Sequence, residues 1–382
     1  MSSEQRVSDR DLGRPFDGPW LANASRSQEA LVPTGRAVVS CTAPFGVGGL
    51  GRHFKEVVGA LERREQPVVR ISGSEREPEP AGARRTRAIL TRARLLSRRL
   101  APRSPGASTR DFVVEFDRYA ARQLPPGEHL IAFNGQALAQ FQAARDARYT
   151  SISLISANSH LRRVVRQHAL AHRQYPIEGS WATRLVARNV SEYAQADRIY
   201  VGSQYTRESF LEEGLSDDVL LVFPFTPDPR YHADRPPASS ATFDIVYVGS
   251  LSVAKGVPLL IDAVRRLPQD EIRLRLIGGW ATRGMRRFVQ KACAEDRRIS
   301  HGAGDPLPHL RDASLCVHPS YEDGFAYAPA EAVACGVPVI VSEDTGMKDH
   351  IDRRSGVILP TGDRGALTEA IDAAYRGGLL DG

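Results

Sequence analysis

The sequence predicts an α/β protein built from two doubly wound domains that face each other across a cleft. Three observations carry this. Short apolar runs rich in Val and Ile alternate with amphipathic stretches of helical period. A proline-rich segment, PDPRYHADRPPASSAT (227–242), interrupts the alternation, which then restarts. At 382 residues the chain exceeds what one small core organises.

The first 37 residues are polar, with no apolar stretch behind a basic start, so residues 1–36 are expected to be a disordered leader rather than a secretory signal. From position 37 the strands expected are AVVSC (37–41), PVVRIS (67–72), FVVEF (112–116), HLIAFN (129–134), SISLIS (151–156), RIYVGS (198–203) and VLLVFPF (219–225). Helices are expected over 49–64, 136–148, 159–173, 180–195 and 204–213. These make an N-terminal domain over 37–226 with a basic insertion at 75–110. After the 227–242 linker, the C-terminal domain over 243–382 reads as strands 243–249, 273–279, 315–320, 337–342 and 356–360. Between and after them come helices at 256–267, 283–295, 329–335 and 365–376. In sheets of this kind ligands sit beyond the carboxyl ends of the strands, so the cleft is the expected site.

Composition excludes several classes. No run of about 18 apolar residues exists, which excludes a spanning helix. Cys41, Cys293, Cys316 and Cys335 form no CxxC pair and no zinc spacing, so buried free thiols in a reducing cytoplasm are expected, and no metal site. The net charge of +6 is uneven: RRTRAILTRARLLSRRLAPR (84–103) is rich in arginine and free of acid. On a helix Ile89, Ala93, Leu96 and Leu100 share a stripe, which suits either peripheral contact with an anionic inner-membrane surface or a solvated insertion. Nucleic acid is not expected, because no aromatic residue interleaves with the arginines.

Three loops hold candidate chemistry. In APFGVGGLGRHFKE (43–56), Gly46, Gly48 and Gly51 satisfy GxGxxG, yet four residues separate the first glycine from the strand and no acid closes the second strand. That argues against a dinucleotide and leaves two readings: a loop whose amides approach a phosphate, or a tight turn. In GSLSVAKGVPLLIDAV (249–264), Lys255 precedes a helix, and only four of the 51 basic residues are lysine. It is either a phosphate ligand or a solvated loop charge. In YEDGFAYAPAEAVACGVPVI (321–340), Asp323 and Glu331 flank a glycine loop at a strand end. Pro329 is expected to open a short helix, with Glu331 in its first turn and Gly336 ending it. Paired carboxylates there suit a polyhydroxylated ligand whose phosphates take the amides.

At these residues the chain resembles glycosyltransferase family 4, the retaining, nucleotide-sugar-dependent enzymes of GT-B fold. The resemblance is carried by DGFAYAPAEAVACGVPVI, by VGSLSVAKGVPLLIDA upstream and by GVILPTGD downstream. In the N-terminal half GVGGLGRH, SANSH (156–160) and SEYAQADRIYVGSQYTRESFLEEG (191–214) extend it. It implies an acceptor domain followed by a nucleotide-sugar-binding domain. Glu331 would hold the donor ribose, and Asp323 would lie near the donor sugar with the amides of Gly324, Phe325 and Ala326. Lys255 would meet the diphosphate, as would the loop at Gly48 and Gly49, and His160 would stand near the reacting sugar. Two departures are evident. The family usually has Glu where this chain has Asp323, with Glu322 out of step by one. Ser250 stands where an arginine is usual, leaving Arg162 and Arg163 as candidate replacements.

The resemblance implies a UDP- or GDP-linked donor, an acceptor that is a glycan, lipid or small molecule, and neither cofactor nor metal. A catalytically impaired partner subunit and a sugar-nucleotide epimerase are the alternatives.

Overall fold

The computed structural model describes residues 16, 18–73, 105–233 and 242–378. Two six-stranded sheets are present, and every registered strand pair is parallel. The first runs in the order β2-β1-β3-β4-β5-β6, from β1 (Ala37–Cys41), β2 (Val68–Ser72), β3 (His129–Phe133), β4 (Ser151–Ser156), β5 (Arg198–Val201) and β6 (Leu220–Val222). The second runs β12-β11-β10-β7-β8-β9, from β7 (Phe243–Val248), β8 (Ile272–Ile277), β9 (Ile299–Gly302), β10 (Leu315–His318), β11 (Val339–Ser342) and β12 (Gly356–Leu359). β1, β3 and β10 are buried at every position, as continuous apolar runs covered on both faces require.

The helices of the first half are α1 (Gly18–Leu31), α2 (Gly48–Arg63), α3 (Pro105–Arg122), α4 (Leu138–Asp146), α5 (Leu161–Gln174), α6 (Val186–Tyr193) and α7 (Gln204–Leu211). The second half contributes α8 (Val257–Arg266), α9 (Arg283–Glu295), α10 (Leu307–Arg311), α11 (Tyr327–Ala334) and α12 (Arg364–Tyr375). Strand order reverses beside the first strand of each sheet: β1 lies between β2 and β3, and β7 between β8 and β10. Such reversals open crevices at the carboxyl ends of the strands.

Three expectations are corrected. FVVEF is part of α3, not a strand: Val113, Phe116 and Ala120 are buried at helical spacing while Arg110, Asp111 and Glu115 are exposed. The leader is ordered over α1, because Trp20, Ala24, Gln28 and Val32 recur every fourth residue and are all buried. Phe16 and Trp20 pack edge-on at 4.7 Å, and both rings meet His350 of the C-terminal half at 5.5 and 5.6 Å. β9 and α10 were not foreseen. The arginine-rich stretch 84–103 lies outside the described residues.

One apolar cluster joins the two halves, with Trp20, Val39, Phe54 and Phe133 from the first and Phe325, Tyr327, Ala330 and Met347 from the second. Cys41, Cys316 and Cys335 are buried free thiols, whereas Cys293 is half-buried. Removing the Trp20 ring should open a cavity in this shared core. Trp20→Ala is expected to lose about 3–5 kcal/mol of stability, read as a lower urea midpoint with an unchanged slope.

Candidate active site

β7 and β10 are adjacent, so the loops leaving them converge. Lys255 precedes α8, and Gly256 there adopts φ 70°; a Cβ would lie 1.9 Å from the Pro319 carbonyl oxygen, so glycine is required. The Lys255 ammonium donates to Asp323 Oδ2 at 2.7 Å and to the Glu322 carbonyl oxygen at 2.9 Å. His318, at the end of β10, places Nε2 3.1 Å from the same Asp323 oxygen. Burial would raise the Asp323 pKa, but Lys255 and His318 outweigh it and hold the carboxyl well below its usual range. The carboxylate is therefore ionised and has an acceptor oxygen beyond those two donors' shared atom.

Asp323 N donates to the Asp344 carbonyl oxygen at 3.1 Å, and Gly346 N to the Asp323 carbonyl oxygen at 2.8 Å, which fixes the loop. Gly324 is wedged against the N-terminal domain: Ser203 and Thr206 hydroxyls donate to its carbonyl oxygen at 2.7 and 2.9 Å. A Cβ on Gly324 would lie 2.4 Å from the Ala157 carbonyl oxygen. Phe325 is buried, and Ala326 adopts φ 67°, a left-handed conformation unusual for a residue with a Cβ. α11 starts at Tyr327, two residues earlier than expected, so Glu331 sits beyond its first turn. Its partner is the Arg52 guanidinium of α2, from the other domain, and not the dipole of its own helix. The Glu331 side chain is 1% exposed, and burial, opposed by Arg52, pushes its pKa up to about 7. Between the unfolded value near 4.5 and about 7 the native state binds the extra proton, so ionising Glu331 lowers stability as pH rises through that window.

The N-terminal domain presents the loop after β1. Gly46 N donates to the Gly51 carbonyl oxygen at 2.9 Å, and a Cβ on Gly51 would lie 2.1 Å from the Pro44 carbonyl oxygen, so this glycine is structural. Gly48 and Gly49 are exposed, and a Cβ on either would meet nothing within 4 Å. Ser250 is likewise exposed at the end of β7. Behind the loop His53 stacks on Phe225 at 3.7 Å and lies 5.2 Å from Tyr327. Burial and then Arg52 drive its pKa down to about 3 against the pull of Asp323, so the ring is neutral.

α2, α8 and α11, which point toward this crevice, begin without a side-chain cap. Elsewhere α5, α7, α9 and α12 are capped by His160, Ser203, Thr282 and Asp363, while α4, α6 and α10 also start without a side-chain cap. Uncapped N-termini leave amide hydrogens and positive dipole ends directed at one space, a setting for an anion.

His160 follows Ser159, whose amide donates to Glu322 next to Asp323. It caps α5 and is buried between Tyr193 at 4.8 Å and Phe210 at 5.2 Å, and burial lowers its pKa to about 4. Its contacts are those of a neutral structural ring. Sequence reasoning missed Arg52, His53 and His318, and treated Glu322 as out of step. Glu322 is buried and accepts from Ser159 N at 3.0 Å and Asn158 Nδ2 at 3.4 Å, tying the SANSH segment to the C-terminal loop. The signal for Arg52 and His53 was their place beside the glycine loop, and for His318 its place at a strand end before Asp323.

Two parallel sheets with reversals facing one crevice define the GT-B architecture. Residues 242–376 match the family described as glycosyl transferases group 1. Over 207 residues the chain is 28% identical to D-inositol 3-phosphate glycosyltransferase of Pseudarthrobacter chlorophenolicus, covering 51% of this chain and 48% of that protein. The chain thus aligns with about half the length of that relative. Similar solved structures are sucrose-phosphate synthase of Thermosynechococcus elongatus, at 19% identity, TM-score 0.61 and 90% and 92% coverage of this chain and that one. HepE of Anabaena in complex with UDP-glucose is 16% identical, with TM-score 0.57 and 91% and 92% coverage. At these identities the likeness concerns fold.

Gly324 packs directly against the N-terminal domain. Gly324→Ala should force them apart, seen as a larger radius of gyration in small-angle scattering and faster amide exchange at 157–160. An unchanged scattering curve would contradict this contact.

Proposed function

We propose that this chain is a retaining glycosyltransferase that moves a sugar from a UDP- or GDP-linked donor to an acceptor hydroxyl. The observation that carries the reading is the meeting of the Lys255–Asp323 pair, Glu331 and three uncapped helix starts at facing strand-order reversals. A nucleoside diphosphate sugar needs these groups: acceptors for ribose hydroxyls, an acceptor for a sugar hydroxyl, and donors for a pyrophosphate.

In this reading Glu331 takes the ribose hydroxyls and Asp323 a sugar hydroxyl, with amides of Gly324 to Ala326 beside it. As the bond from the anomeric carbon to the diphosphate oxygen breaks, negative charge collects on that oxygen. Lys255 and the amides at Gly48 and Gly49 stabilise it. The acceptor oxygen bonds to the same face of the sugar, and its proton passes to the departing phosphate oxygen. His318 positions Asp323. A catalytically silent partner subunit is the second reading, favoured by Ser250 and the short acid Asp323. Titration with UDP and GDP separates the two, because a silent subunit gives no heat.

Lys255→Ala and Glu331→Ala should each lower turnover of the bound nucleotide sugar by about 10²–10³-fold, with the circular dichroism spectrum unchanged. Full turnover in both would end the assignment. The ribose acceptor must be ionised, and Glu331, buried beside Arg52, ionises at about 7. Affinity for UDP-glucose or GDP-mannose, whose diphosphates do not titrate there, should rise with pH up to about 7 and then level off. Glu331→Gln should abolish that step.

A further inference from the structure

The chain has a serine at position 250, and the two arginines considered as replacements are engaged elsewhere. Arg162 pairs with Glu213 at 3.0 Å, while Arg163 pairs with Glu212 and lies 5.1 Å above the Tyr205 ring. Arg52 is placed differently. It leaves α2 directly behind the Gly46–Gly49 loop and crosses to Glu331, with its guanidinium 5.3 Å from the Tyr327 ring. Of this pair Glu331 is the enclosed half at 1% exposure and Arg52 the accessible half at 24%. A ligand approaching Glu331 therefore meets the guanidinium first.

A carboxylate buried this deeply needs a cation or several hydrogen bonds. When a vicinal diol donates to its oxygens, it displaces the guanidinium N–H groups that held them. The released guanidinium, left beside the neutral Tyr231 hydroxyl, then lacks an anionic partner, and a phosphate offers two oxygens in matching geometry. We infer that Arg52 is a donor-site residue that exchanges partners, yielding Glu331 to the nucleoside diol and taking the adjacent diphosphate. The ligand class is a ribonucleoside diphosphate, since a diol or a phosphate alone completes only half of the exchange. This inference rests on the nucleotide-sugar reading above.

The exchange gives opposite expectations for two probes. Calorimetric titration of wild type, Arg52→Gln and Arg52→Lys with uridine and UDP, and with guanosine and GDP, tests it. Arg52→Gln should weaken binding of the preferred nucleoside diphosphate by about tenfold or more, yet bind the matching nucleoside no less tightly than wild type. Arg52→Lys should recover part of the loss for the diphosphate. An equal loss for nucleoside and diphosphate would reduce Arg52 to a structural role and overturn the exchange, as would undiminished diphosphate binding. If Arg52→Gln does not fold, Arg52→Lys decides, through a loss confined to the diphosphate. Wild-type protein that binds neither UDP nor GDP would overturn the donor reading, and this inference with it.

Discussion

Two carboxylates of the C-terminal half, Glu322 and Glu331, are buried and draw hydrogen-bond donors from the N-terminal half. Ionised groups removed from water cost several kcal/mol unless matched. Closure of the halves is tolerated because each buried acid meets a donor from the other half, and the remaining architecture serves that match. Glu56 of α2 extends the pattern. Burial pushes its pKa up to about 7, while Gln28 of α1, Thr226 beyond β6 and Tyr327 of α11 all donate to it. Apolar packing fills the space between these polar anchors, with Phe225, Phe325 and Tyr327 in mutual ring contact.

Closure explains why chemistry collects where it does. The strand reversals beside β1 and β7 open toward the crevice between the halves, and α2, α8 and α11 start there without side-chain caps. Positive helix ends, one lysine and one arginine then surround the buried Glu331 and the partly buried Asp323. Low effective dielectric strengthens each of these interactions. The charged groups are paired: Lys255 with Asp323 and Arg52 with Glu331.

Much of this was legible from the amino-acid order. The parallel α/β rhythm appeared in runs such as AVVSC and SISLIS, and DGFAYAPAE marked the acidic loop. FVVEF was misread because so short a run, four apolar residues and Glu115, fits a strand and one helix face equally; Tyr119 and Ala120 further on resolve the period. α1 was hidden by polar residues around a stripe of only four buried positions, one of them Gln28. The Arg52–Glu331 pair joins positions far apart in the chain, and no local spacing encodes such a contact. For His160 the local pattern gave a place just after a strand but inside the helix it in fact caps, and was silent about the Tyr193 and Phe210 rings that enclose it.

The docking of Phe16 and Trp20 on His350 has a consequence for how the protein reaches its native state. During synthesis α1 leaves the ribosome long before its last partner exists, so its apolar stripe is only partly covered for most of translation. Contacts this distant in sequence form late and slowly, because the intervening chain must first be ordered. The nascent N-terminal domain therefore passes through a stage with an exposed aromatic surface, and shielding of that surface by a chaperone matters most while the second sheet is being made.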